Sequence, residues 1–340
     1  MVIIAESLAA SAPSDSSAKI PARVHSVLKG KELLGDTPIV ALPADSSLPT
    51  GSLLILFGED DGESGAEARD WEWIAADEAV IGYVAGSPSL RVEAPRRLAY
   101  FARYLDHGNL TVAEDAYLEF AHVPYDVVQG AAGHLPMAAI RQWIVDPAVP
   151  AQRKGFYGLA LGLSVDDEKT ANAQLLRRLI LEPAGDFRGG FDGILAGYLL
   201  AAGETALELI EERILANPDS AEGDVRHAMN ALRFYHESGR QIPAARLCEA
   251  LEHLLKRPEF AAPAIVDLAR WQNWEAAERI VGLYDAPLAE HQSSVRRAII
   301  GYLLVCPTPA AAAHLRTLRK RDPDLVEEVQ RRPVLPSRRE

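Results

Sequence analysis

Apolar and polar residues alternate with two different periods along this chain. Over residues 1–90 the apolar positions come in short runs, 2–5, 18–28, 37–42, 52–57 and 71–74, parted by clusters of Gly, Pro, Ser and Asp. In the second run Ile20, Ala22 and Val24 alternate with Lys19, Pro21 and Arg23, the period of two expected of a strand with one face in a core. Five such strands predict a small β-barrel. From Arg91 onward the spacing becomes three and four. Leu98, Phe101, Ala102 and Leu105, then Ala113, Ala116, Tyr117 and Phe120, predict a helical hairpin turning at His107-Gly108-Asn109. Further pairs are predicted at 137–145 with 153–163, 171–181 with 191–201, 206–215 with 225–236, 244–255 with 261–271 and 276–284 with 295–305. A helix over 310–318 and a short turn at 324–329 complete the pattern.

Six prolines punctuate the helical part: Pro147, Pro183, Pro218, Pro258, Pro287 and Pro323, with gaps of 36, 35, 40, 29 and 36 residues. Proline suits the first turn of a helix and not its interior, so this recurrence predicts repeated hairpins with a proline at or beside a helix start. Each pair carries more apolar face than it can bury alone, and neighbours must stack to share one core. The expected fold is therefore α+β and mostly α: a β-barrel domain over 1–90, an α-solenoid over 91–330 and a basic tail over 331–340.

Charge narrows the function more than length does. The 340 residues carry 35 Lys and Arg against 48 Asp and Glu, a net −13, and residues 1–90 hold −9 of it. Non-specific grip on nucleic acid or an anionic membrane needs a basic stripe, which this balance argues against. The basic residues Arg316, Arg319, Lys320, Arg321, Arg331, Arg332, Arg338 and Arg339 gather at the far end, as helix ends and tails commonly do. The acidic, glycine-rich stretch 58–70 lacks the D-x-[DN]-x-[DN]-G spacing of a calcium loop and is expected to be solvated. No apolar run reaches the ~18 residues that would span a bilayer. The opening Met1-Val2-Ile3-Ile4-Ala5-Glu6 has no basic n-region, so the chain as it stands is expected to be cytoplasmic; a strand that begins at once leaves open an exported protein with a leader upstream. Cys248 and Cys306 are too few and too far apart for a disulfide framework or a metal knuckle.

Three constellations invite chemistry. Glu119 and His122 form Glu-x-x-His, half of a di-iron motif that would need a second copy, and none exists. The nine histidines show no metal-ligand spacing, so no metal and no cofactor are expected. Asp267, Arg270, Trp271 and Trp274 lie three, four and seven residues apart, which on a helix places them on one face as candidate binding residues. The other reading of the same spacing is packing between repeats, with Asp267 and Arg270 paired across a turn.

These residues also carry resemblances. Val24-His25-Ser26-Val27-Leu28-Lys29-Gly30, followed by Gly51-Ser52-Leu53-Leu54-Ile55-Leu56-Phe57-Gly58, resembles the OB-type barrel of netrin-like and tissue-metalloprotease-inhibitor-like domains over about a quarter of the chain. Those inhibitors chelate through an N-terminal cysteine, and here none precedes Cys248, so the resemblance implies the barrel alone. OB barrels that hold single strands set aromatics beside basic residues, whereas Trp71 and Trp73 have acidic neighbours. The helical part resembles a HEAT-type array. Tyr104-Leu105-Asp106-His107, the run 115–121 and the run 267–274 resemble HEAT-repeat proteins of planctomycete-type bacteria, which brings no known activity. HEAT-like DNA glycosylases use aromatics and an aspartate in a cationic groove, but Glu275, Glu278 and Asp285 crowd this one. Hydroxylases similar to deoxyhypusine hydroxylase repeat a His-Glu dipeptide that occurs in that order only at His236-Glu237. The expectation is a non-catalytic protein-interaction or scaffold module with a protein or peptide partner and no nucleic acid; the alternative is a HEAT-type enzyme, glycosylase-like or hydroxylase-like.

Overall fold

The computed structural model describes residues 1–8, 19–31, 34, 37–43, 48–58, 71–164, 168–182 and 188–332. Pro183, most of the acidic stretch (59–70) and the end of the basic tail (333–340) lie outside them. The chain is α+β and mostly helical, and it divides into two compact units, Met1–Leu135 and Pro136–Glu340.

The first unit opens with five strands, β1 (Val2–Ser7), β2 (Lys19–Lys29), β3 (Ile39–Pro43), β4 (Leu53–Gly58) and β5 (Trp71–Ala75), close to the expected runs. All neighbours are antiparallel, in the order β3-β2-β1-β4-β5. Alternation puts Ile3, Ala5, Ile20, Ala22, Val40, Leu42, Leu54, Leu56 and Trp71 on one buried face. Two register irregularities between β1 and β2, at Val2/Ile3 and Ile4/Ala5, add the local bend that curls the sheet around this core. β3 and β5 approach one another without a ladder, so the sheet is a half-barrel and not the closed barrel expected. Its other face also carries apolar residues, among them Val2, Ile55, Phe57 and Ile74, because helices belong to the same unit: α1 (Glu78–Gly86), α2 (Ala94–Phe101), α3 (Leu110–Ala121) and α4 (Tyr125–Ala131). α1 and α4 are not marked by the prolines or by the hairpin spacing. Asp77 caps α1 by accepting from the Val80 amide at 2.8 Å, and Asn109, which caps α3, donates to the same carboxylate at 2.8 Å.

The second unit is helical throughout its described residues: α5 (Met137–Trp143), α6 (Ala151–Gly162), α7 (Lys169–Leu181), α8 (Phe191–Ala202), α9 (Glu204–Ile210), α10 (Glu222–Ser238), α11 (Ala244–Glu252), α12 (Pro258–Arg270), α13 (Ala277–Gly282), α14 (Gln292–Val305), α15 (Pro309–Arg321) and α16 (Pro323–Arg331). Every second helix meets the next: α6 packs on α8, α8 on α10, α12 on α14 and α14 on α16, while side chains join α10 to α12. Pro258 and Pro323 stand in the first helical turn as expected, whereas Pro147, Pro218 and Pro287 fall in the turns ahead of α6, α10 and α14.

A more even spacing than that of the prolines lies inside the helices. Gly158, Gly193, Ala228, Ala264 and Ala298, on α6, α8, α10, α12 and α14, are spaced 35, 35, 36 and 34 residues apart. Six polar contacts have nearly the same spacing: Arg188 to Asp224, His227 to Asp192, Arg233 to Asp267, Arg246 to Glu211, His314 to Glu278 and Arg321 to Asp285 join residues 34 to 36 apart, whereas Arg141 to Glu168 and Arg279 to Glu252 span 27 and Arg297 to Glu328 spans 31.

Candidate functional site

The residues singled out by spacing gather at the C-terminal end of α12, but not on one helix face. α12 ends at Arg270 because Gln272 adopts a left-handed conformation, φ 58°. The Asn273 amide then bonds to the Leu268 carbonyl at 2.9 Å and the Gln272 amide to the Ala269 carbonyl at 3.1 Å, a Schellman termination. Such an ending usually announces itself with glycine, and Gln272 gives no such signal in the sequence. Trp271 is therefore the helix cap, and Trp274 lies beyond the helix, off the face it was expected to share with Asp267 and Arg270.

Asp267 is buried, 1 % exposed. Its Oδ2 accepts from Arg233 Nε of α10 at 2.7 Å, and Arg270 Nη1 stands 3.6 Å from Oδ1. Arg233 also donates to Asn230 at 3.0 Å. A carboxylate held between two guanidinium groups is an anchor for the helices that carry them. The pairing across the turn expected from Asp267 and Arg270 is present, but the closer partner, Arg233, comes from a distance in sequence that helix-face spacing cannot reveal.

Both tryptophans are half-buried. Trp271 stacks face to face on His236 of α10, ring centroids 4.4 Å apart and planes 5° apart. Burial against that ring pushes the His236 imidazole below its ordinary pKa, and the neighbouring Glu237 acts weakly in the opposite sense. Trp274 meets Tyr302 of α14 edge-on at 5.5 Å. Between them, Asn273 donates to Glu252 at 3.1 Å and accepts from the Tyr302 hydroxyl at 2.5 Å. The turn 271–274 thus ties together α10, α11 and α14. Cys248, buried nearby on α11, has its thiol pushed up to about 11 by burial, which keeps it protonated and unreactive.

The acidic neighbours are largely matched. Glu278 meets His314 at 2.9 Å and Asp285 pairs with Arg321, each one repeat later. Elsewhere, Glu119 pairs with Arg97 at 2.9 Å while His122 caps the end of α3 in solvent, so the Glu-x-x-His half-motif does not converge on one point. Among the described residues no group of three His, Cys, Asp or Glu side chains is placed to hold a metal ion, and no helix is long and apolar enough to cross a membrane. No family model, no curated protein and no solved structure matches this chain.

Proposed function

We propose that the helical unit is a HEAT-type stacked array acting as a non-catalytic protein-interaction module, with its binding face centred on Arg270 and Trp271. The observation that carries this reading is the Trp271–His236 stack beside the exposed Arg270. Tryptophan and arginine dominate the energetics of protein interfaces, and they do so where a rigid support holds them. Here the support is the buried Asp267 between its two arginines. The six polar contacts that span 34 to 36 residues support the stacked array, and the net charge of −13 favours a protein partner over a polyanion.

The test compares wild type with Arg270→Ala and Trp271→Ala in quantitative cross-linking from the native host, alongside melting curves. Arg270 is exposed and makes the longer of the two contacts to Asp267, at 3.6 Å, so its removal should cost only about 1 kcal/mol of stability while weakening the complex. A partner captured equally by all three proteins would place the interface elsewhere. Tight, salt-sensitive binding of duplex DNA would replace the reading with the glycosylase-like one.

A further inference from the structure

The first unit contains a cavity of about 320 Å³ between the half-barrel and α1 to α3. This lies at the lower end of the ~300–1,000 Å³ typical of small-molecule sites. Its apolar lining includes Phe57 and Ile74 from the sheet and Val84 and Phe101 from the helices. Two charged groups on its wall lack an opposite charge among the described residues. Lys29, at the end of β2, spends its ammonium on neutral acceptors, the Ser87 Oγ at 2.8 Å and the Ser87 carbonyl at 3.3 Å. Asp115, on α3, accepts from the Tyr83 hydroxyl at 2.6 Å, a neutral donor. Burial and the Asp115 charge hold the Tyr83 phenol far above its ordinary pKa, so it stays a donor and does not neutralise the carboxylate. The remaining carboxylate, Glu119, is already matched by Arg97.

An apolar chamber whose wall carries one cation and one anion, each with lone pairs or N–H groups to spare, complements a ligand with the same two charges in reverse. We propose that this cavity binds a small zwitterion with an apolar body, its carboxylate on Lys29 and its ammonium on Asp115. An α-amino acid with a large apolar side chain and an ω-amino acid on an alkyl chain share this chemistry. They differ in the separation of the charges, which the test resolves. The site belongs to the first unit and is independent of the interface proposed for the second.

Isothermal titration of the full chain with L-phenylalanine, L-leucine and 6-aminohexanoate, each beside its N-acetyl and its amide derivative, tests the assignment. At least one free zwitterion should bind saturably and raise the melting temperature, and each cap should weaken it about tenfold, the loss expected for one charge-assisted hydrogen bond. Lys29→Met should remove the penalty for amidation, and Asp115→Asn the penalty for acetylation, because each variant no longer distinguishes the capped group. Both side chains are exposed and Asn keeps the Tyr83 contact, so the variants should fold. Val84→Phe, which fills the chamber, should abolish binding altogether. Capped and free compounds binding alike would reduce the cavity to an apolar pocket and overturn the proposal, as would no saturable binding by any of the three.

Discussion

Two interfaces in the helical unit repeat the same step and close in opposite ways. Between α6 and α8 the backbones themselves touch. A Cβ added to Gly155 would stand 2.8 Å from the Gly190 carbonyl oxygen, one on Gly158 2.7 Å from the Ile194 Cα, and one on Gly162 2.6 Å from the Gly197 Cα. Between α10 and α12 the helices are joined by side chains: the Arg233–Asp267 pair, the His236–Trp271 stack and Arg226 over the Phe260 ring at 5.4 Å. In the first interface the closest approaches are backbone to backbone and leave no room to yield. The second is wider, partly open to solvent and adjustable. The residues where two helices meet therefore decide whether the joint is a backbone seam or a contact made by side chains.

The largest effect should come from breaking the seam. Gly197→Ala places a methyl on the Gly158 carbonyl, where no flexible side chain can give way, and overpacking of this kind is expected to cost about 3 kcal/mol or more. Ala228 of α10, 35 residues on from Gly193, is fully buried and already carries a Cβ. Urea denaturation of Gly197→Ala beside Ala228→Gly tests whether the seam is special: the second change should cost only about 1 kcal/mol, through helix propensity. Equal losses would mean that the seam is no tighter than the packing around Ala228.

Next in size is the buried charge. Arg233→Met leaves Asp267 with Arg270 alone at 3.6 Å, a loss of about 2–3 kcal/mol, below the full cost of orphaning a buried ion because Arg233 is itself partly exposed. The double variant Arg233→Met/Asp267→Leu should recover most of that stability, since replacing both partners by apolar groups removes the desolvation penalty. No recovery in chemical denaturation would show that the pair matters for more than its charges. Smaller again, Gln272→Gly should raise stability by about 1 kcal/mol by relieving the left-handed backbone at the cap. A loss instead would indicate that the Gln272 side chain holds the turn that sets Trp271 and Trp274 apart.

Element type and most boundaries were legible in the sequence because both units carry clean periods: Ile20, Ala22 and Val24 alternate, and the helical pairs keep three-and-four spacing. The proline spacing is the blunter of two signals. Pro258 and Pro323 stand in first helical turns while Pro147, Pro218 and Pro287 stand in turns between helices, and the gaps in the proline series range from 29 to 40. Gly158, Gly193, Ala228, Ala264 and Ala298 lie within helices, and their spacing holds to 34–36. The run Arg153-x-Gly155-Phe156-x-Gly158 returning as Arg188-x-Gly190-Phe191-x-Gly193 is the signal that would have located the seam. At the candidate site, spacing could bring Asp267 and Arg270 together but could not supply Arg233 or His236, which arrive from α10. Nor could it place Trp274, since helix-face logic assumes a helix that Gln272 ends.

The smallest expected effect separates the two joints by pH. Burial against Trp271 lowers the folded pKa of His236 below its ordinary 6.5, so the unfolded chain takes up the proton first. Stability is therefore unaffected well above pH 6.5 and falls as the pH drops through about 6.5 toward the lower folded value, below which the loss stops growing. His236 is half-buried, and solvent keeps the effect modest. Other imidazoles lie beside carboxylates, His227 3.4 Å from Asp192 and His314 2.9 Å from Glu278, and are common to the wild type and any His236 variant. The informative quantity is thus the difference between wild type and His236→Phe, which keeps an aromatic face for Trp271 and removes the proton. That difference in melting temperature should be flat from about pH 8 to 7 and should then move against the wild type as the pH falls to about 5. A wild type that gains on the variant under acid would mean that an imidazolium over the indole face, helped by Glu237, outweighs its desolvation. The α10–α12 joint would then tighten on acidification, a response that the backbone contacts of the glycine seam do not supply.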